Sequence, residues 1–183
     1  MALAALLGLA LTAFGPPAAS GQDAPPEPEN YRVDDYRAPT PDSLKGARTV
    51  STEEAEKLWR SKTAVFIDVM PHVPKPKNLP PGTIWRDKPR LNIPGSTWLP
   101  DTGYGKLAAA TEAYLAAGLA TATGGDRGKP MVIYCLRNCW MSWNAAKRAL
   151  AVGYANVIWY PDGTDGWQEA DLPLEKAQPV PRE

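Results

Sequence analysis

The chain contains two cysteines, Cys135 and Cys139, and both lie in the run Met131 to Gly153, MVIYCLRNCWMSWNAAKRALAVG. Met131, Val132, Ile133 and Tyr134, behind Pro130, form a continuous apolar stretch that predicts a strand buried on both faces and ending at Cys135. From Met141 the period changes. Met141, Ala145, Ala149 and Val152 fall on one stripe with Lys147 and Arg148 opposite and Gly153 placed as a stop, which predicts a helix. A cysteine at a strand end, followed by a short loop leading into a helix N-terminus, meets unpaired amide donors and a positive dipole, so its thiolate is favoured. The alternative is an inert core thiol, and the strand-loop-helix junction favours the reactive reading. An i, i+4 pair on a helical turn separates Cα atoms by about 6 Å, inside the disulfide range. A reversible bond between Cys135 and Cys139 is therefore stereochemically open. With two sulfurs and one histidine in the chain the pattern falls short of a zinc site, and no metal is expected.

The elements that must position this junction are legible on either side of it. Ser51 and Glu54 make a capping box, with Val50 and Ala55 as a staple, and predict a helix from about 52 to 60. Ala64 to Asp68 reads as a strand ending in a carboxylate. Prolines then recur from Pro71 to Pro100 and exclude regular helix or central strand, so a long loop covering a site is expected. Pro94-Gly95 has turn chemistry and precedes a short strand at Thr97 to Leu99. Leu107 to Leu119 reads as a helix, Asn156 to Tyr160 as a strand, and Pro161 to Trp167 as a loop dense in turn residues. Helices alternating with strands imply a single α/β domain: a mainly parallel central sheet flanked by helices on both faces.

Twenty basic and twenty acidic residues cancel, and no basic cluster stands out, so nucleic acid is not an expected partner. Residues 1–20 carry no charge and an apolar run from Ala2 to Phe14 that is too short to span a membrane. Closed by Gly15, Pro16 and Pro17, with Ala18 and Ser20 at small-residue positions, this segment resembles a secretory signal peptide. The expectation is export to the periplasm without a stable membrane anchor, into an oxidising compartment where nearby cysteines can pair. The chain then divides into a signal peptide (1–20), a Pro-rich extension (21–48) whose Gly21 to Asp42 part is expected to be a mobile lead-in, one domain (49–176) and a tail (177–183).

From Thr49 to Leu174 this order of parts resembles the rhodanese-like domain: a capped helix, the strand AVFID, the turn IPGS, the lead-in GGDRGKP, the strand VIYC, the Cys loop, and the helix with Asn144-Ala145-Ala146. The segments CLRNCWMSWNAAKRAL and WYPDGTDGW are more narrowly similar to the exported rhodanese-like proteins of PQQ-dependent catabolism named for a Cys-Cys-Trp motif, here Cys135, Cys139 and Trp140. The resemblance implies that Cys135 is the nucleophile and bears a persulfide, with no other bound cofactor. It implies that Leu136, Arg137, Asn138, Cys139 and Trp140 form the loop whose amides surround the sulfur, and that Asp68 stands at the neighbouring strand end. Implied partners are a small sulfur donor or a protein thiol, and a quinoprotein dehydrogenase or its cytochrome; a monomer is expected.

Three departures from the family pattern bear on the chemistry. Trp140 stands where rhodaneses carry an arginine five residues after the nucleophile, Asp68-Val69-Met70 lacks the arginine of their Asp-x-Arg, and Asn92 replaces the histidine before Ile-Pro-Gly. Losing those cations argues against efficient use of thiosulfate. Two readings follow. One is an enzyme, a sulfurtransferase or thiol oxidoreductase with Cys135 attacking and Cys139 resolving; the other is a non-catalytic accessory module with a structural disulfide. Outside the loop, His72 reads as a solvated loop residue and the tryptophans Trp140, Trp143, Trp159 and Trp167 as core packing rather than a ligand-stacking set. Asp162 and Asp165 read as turn residues rather than calcium ligands.

Overall fold

The computed structural model describes residues 24–73, 75–86 and 88–182; the segment read as a signal peptide lies outside them. The elements run β1 (Arg48–Thr49), α1 (Thr52–Ser61), β2 (Val65–Asp68), β3 (Leu91–Asn92), β4 (Thr97–Trp98), α2 (Ala109–Thr123), β5 (Met131–Tyr134), α3 (Trp140–Ala151), β6 (Val157–Tyr160), α4 (Gly163–Glu169) and β7 (Glu175–Lys176). Five strands make one parallel sheet in the order β1-β6-β5-β2-β4, and β3 pairs antiparallel with β7 beside it. The expected α/β domain with a mainly parallel sheet is what forms.

Every residue of β5 and β6 is buried, because helices cover both faces of the sheet. Alternation along the strands divides the core in two. Ile67, Met131, Ile133, Val157 and Trp159 pack with Leu115 and Leu119 of α2 and with Trp143, Ala145, Ala146 and Ala149 of α3. Phe66, Val132, Tyr134, Ile158 and Tyr160 pack with Ala55 of α1 and Trp167 of α4. Cys135 continues the first set, so its side chain is delivered to the α3 face of the sheet.

Locally expected features form as written. Ser51 and Glu54 make the reciprocal capping box that starts α1. At Pro94-Gly95, Ser96 N–H donates to Ile93 O and Gly95 adopts φ 80°, a turn that favours glycine at this position. Other expectations need correction. Pro161 to Trp167 is not an irregular loop, since Gly163–Glu169 forms α4, with Trp167 filling the core under it. Helix α2 lies two to four residues later than its apolar pattern indicated, because Gly124 in the left-handed region ends it. The lead-in, expected to be mobile, is hydrogen-bonded to the domain over its described part. From Pro28 to Ser43 it lies along α3 as a strap, because four α3 side chains donate to its carbonyls: Lys147 to Pro28, Asn144 to Arg32, Trp140 to Pro39 and Trp143 to Ser43. Those donors recur at helical spacing, so the strap's backbone is bonded along one stripe of the helix.

Candidate functional site

β5 and β2 are in register, Tyr134 opposite Asp68, so Cys135 and Asp68 emerge together at the C-terminal edge of the sheet. Beyond Cys135 the chain reverses through Asn138 at φ 52°, a left-handed position that asparagine tolerates, and brings Cys139 back to the start of α3. The two cysteines form a disulfide with a Cα–Cα distance of 6.3 Å. Both sulfurs are shielded, Cys135 being 0% exposed and Cys139 1%, and Met70 Sδ lies 3.6 Å from Cys135 Sγ.

The loop is held from three sides. Arg137 donates from Nε to Asp162 at 3.1 Å and from both terminal nitrogens to Glu169 at 2.6 Å, while its amide donates to Asp165 Oδ2 at 3.1 Å. Those carboxylates, Glu169 first and Asp162 next, push the Arg137 guanidinium above its ordinary range, and Arg137 holds the Glu169 carboxyl below the usual one. Asp162 and Asp165 thus tie α4 to the Cys loop. Thr164 N–H donates to Cys135 O at 3.1 Å, and Gly163 sits so close that an added Cβ would lie 2.5 Å from that oxygen. On the third side the strap supplies the acceptor for the first amide of α3, Trp140 N–H to Tyr36 O at 2.9 Å.

Two amides of the expected cradle, Arg137 and Trp140, are therefore engaged by protein acceptors. Leu136 is half-buried in a bridge with Gly163, and Asn138 is exposed at the loop's tip. Trp140 is buried with its indole N–H on Pro39 O, Arg32 over its ring and Trp143 at its edge, so it packs rather than lining an open mouth. A surface hollow of 240 Å³ borders the loop, lined by Thr40, Asp42, Arg137, Asn138 and Asp162. The larger hollow of 790 Å³, lined by Trp59, Val65, Phe66 and Lys129, lies at the opposite end of the strands. His72 packs edge-on against Trp98.

Asp68 is 0% exposed, and one residue that pattern reading missed is its partner. Arg90, from the end of the long 71–90 loop, donates from Nε to Asp68 Oδ2 at 2.7 Å, from Nη1 to Thr164 Oγ1 at 3.2 Å and from Nη2 to Cys135 O at 3.3 Å. The arginine absent at Met70 is thus replaced by one 22 residues beyond Asp68. Burial pushes the Asp68 carboxyl above its usual range, with Arg90 and the Met70 amide pulling it back. The available signal was Asp68 itself: a carboxylate at the end of a buried strand requires a cation or donors from somewhere. Thr164 was likewise missed, and Met70 was read only as the position lacking an arginine, not as a neighbour of the Cys135 sulfur.

A disulfide loop set between a parallel-sheet edge and a helix N-terminus, with a buried Asp–Arg pair beside it, defines a thiol site on an α/β domain. The rhodanese-like domain model matches residues 51–170, and the chain belongs to that family. Solved structures similar to it include a thiosulfate sulfurtransferase from Pseudomonas aeruginosa, at 21% identity over 73% of this chain with a TM-score of 0.47. Others are the polysulfide-sulfur transferase of Wolinella succinogenes, at 18% identity over 73% of this chain and 81% of its own, TM-score 0.45, and a human single-domain sulfurtransferase, at 23% over 67% and 96%, TM-score 0.40. The match spans only 21% of the Pseudomonas chain. No curated protein matches the chain.

Proposed function

We propose that this protein handles sulfane sulfur and disulfides at Cys135, with Cys139 as the resolving thiol. The observation that carries the reading is the disulfide within the loop that joins β5 to α3, where a family nucleophile would stand. In the reduced protein the Cys135 thiolate attacks a sulfane sulfur, the donor leaves as a thiolate, and a persulfide remains on Cys135. The Cys139 thiolate then attacks Cys135 Sγ, the outer sulfur leaves as hydrosulfide, and the disulfide re-forms. The two cysteines are oxidised as the sulfane sulfur is reduced, and an external dithiol restores them by exchange. The Cys-Cys-Trp run and the apolar N-terminus support a periplasmic protein that serves a PQQ-dependent alcohol-oxidising system through a quinoprotein dehydrogenase or its cytochrome.

Intact mass of the mature protein, before and after reduction and then polysulfide, tests this reading. Cys139→Ser should gain and keep one sulfur atom on Cys135, whereas the wild type should release sulfide and return to the disulfide mass. Absence of sulfur uptake by Cys139→Ser would remove the enzyme reading. A specific observation favours the alternative, an accessory module with a structural bond: both sulfurs are shielded, and the strap occupies the first amide of α3. A bond that resists reduction at every physiological poise would support it.

A further inference from the structure

We propose that Arg90 is a positioning residue for Cys135, carried to the site by the proline-rich loop and acting through the Cys135 carbonyl to favour the thiolate. This rests on the reading of Cys135 as the attacking sulfur. Arg90 is 12% exposed and its three donor directions end on three different elements: Asp68 of β2, Thr164 of α4 and Cys135 at the end of β5. Cys135 O receives Thr164 N–H at 3.1 Å as well, so the peptide carrying the sulfur is fixed in orientation by a neutral and a cationic donor. Three of the five guanidinium N–H donors of Arg90 are held by the protein, so its orientation at the site is set by Asp68, Thr164 and the Cys135 carbonyl. Arg90 presents a fixed positive charge within one residue of the sulfur.

Among the described residues, other charged groups about the loop include Asp68, bonded to Arg90; Asp165, bonded to the Arg137 amide; Arg137, paired with both Asp162 and Glu169; Asp42, beside Arg137 and Asn138; and Arg32, over the Trp140 ring. Removing Arg90 alone therefore leaves the buried Asp68 carboxyl stranded, which would itself disfavour a nearby thiolate. Arg90→Gln must be read beside Asp68→Asn/Arg90→Gln, in which no charge is stranded, and beside Arg90→Lys, which keeps the charge without the fork.

The readout is the alkylation rate of Cys135 against pH in the fully reduced protein, peptide by peptide. A displacement of one pH unit in that profile is a tenfold change in thiolate at fixed pH below the pKa. Arg90→Gln and the double variant should both lose about tenfold of the Cys135 rate at neutral pH, while Arg90→Lys loses less than half of that on a logarithmic scale and Cys139 is unaffected. A wild-type profile in Arg90→Gln would overturn the proposal. So would return of the wild-type profile in the double variant, because the effect would then belong to the stranded carboxyl. Should Arg90→Gln fail to fold, the double variant and Arg90→Lys decide alone. The measurement is independent of sulfur uptake: a protein whose profile responds to Arg90 but which takes up no sulfane sulfur keeps this inference and loses the proposed function.

Discussion

Replacing Asn144 by leucine removes the clip that holds the strap to the domain. The side chain is buried and makes three hydrogen bonds: Arg32 N–H to Oδ1 at 2.9 Å, Nδ2 to Arg32 O at 2.8 Å and Nδ2 to Gly103 O at 2.9 Å. Leucine keeps the branched shape but is bulkier, so some overpacking adds to the polar loss, and Arg32 N, Arg32 O and Gly103 O lose their partner. A net cost of about 1 kcal/mol per bond gives about 3 kcal/mol, with more if the orphaned groups stay buried. For a chain of this size that lowers Tm by about 10 °C. Urea unfolding gives the first number. Amide exchange over 30–43, and the rate at which dithiothreitol reduces the disulfide, show where the loss falls. Both should rise, since the same strap carries Tyr36 O to the Trp140 amide and Pro39 O to the Trp140 indole. A stability change below about 0.5 kcal/mol, the usual range for an inconsequential surface change, together with unaltered strap exchange, would refute the reasoning.

Gly163→Ala should destabilise by about 2 kcal/mol or more, since a non-glycine residue at φ 51° is disfavoured and the new Cβ would lie 2.5 Å from Cys135 O; thermal unfolding checks it, and slower reoxidation of the reduced pair should accompany it. Thiosulfate-to-cyanide sulfur transfer should be feeble in the wild type, because Met70 and Trp140 occupy the cation positions and the charge of Arg90 is paired with Asp68. A steady-state rate in the range of ordinary rhodaneses would contradict this. The Asp68 carboxyl is held above its ordinary value, so its contribution to stability is present in full below that value, about 3.9, and is lost as pH rises through the folded-state value. Asp68→Asn should abolish that component of the acid-side pH dependence, measured by urea unfolding across the carboxylate range; an unchanged slope would show that the carboxyl is not raised.

The junction itself was legible from residues alone. Four consecutive apolar residues before Cys135, and a 3.6-period after Cys139, encode a buried strand and a helix through near-neighbour preferences, and the capping box at Ser51 and the Pro94-Gly95 turn work the same way. Those signals are local in the chain, so composition and period carry them. What tertiary structure decided was everything that depends on non-local pairing. Arg90 reaches Asp68 across 22 positions, and the strap reaches Asn144 across 112, with no period linking either pair. Pro161 to Trp167 reads as turns because glycine and aspartate disfavour an isolated helix. Packing of Trp167 against Phe66 and Tyr160, with Asp162 and Asp165 held by the Cys loop, makes α4 there instead. The burial of both sulfurs was hidden for the same reason. A cysteine's type and neighbours indicate what it could attack, whereas its exposure is set by Met70, Trp140 and a strap a hundred residues upstream.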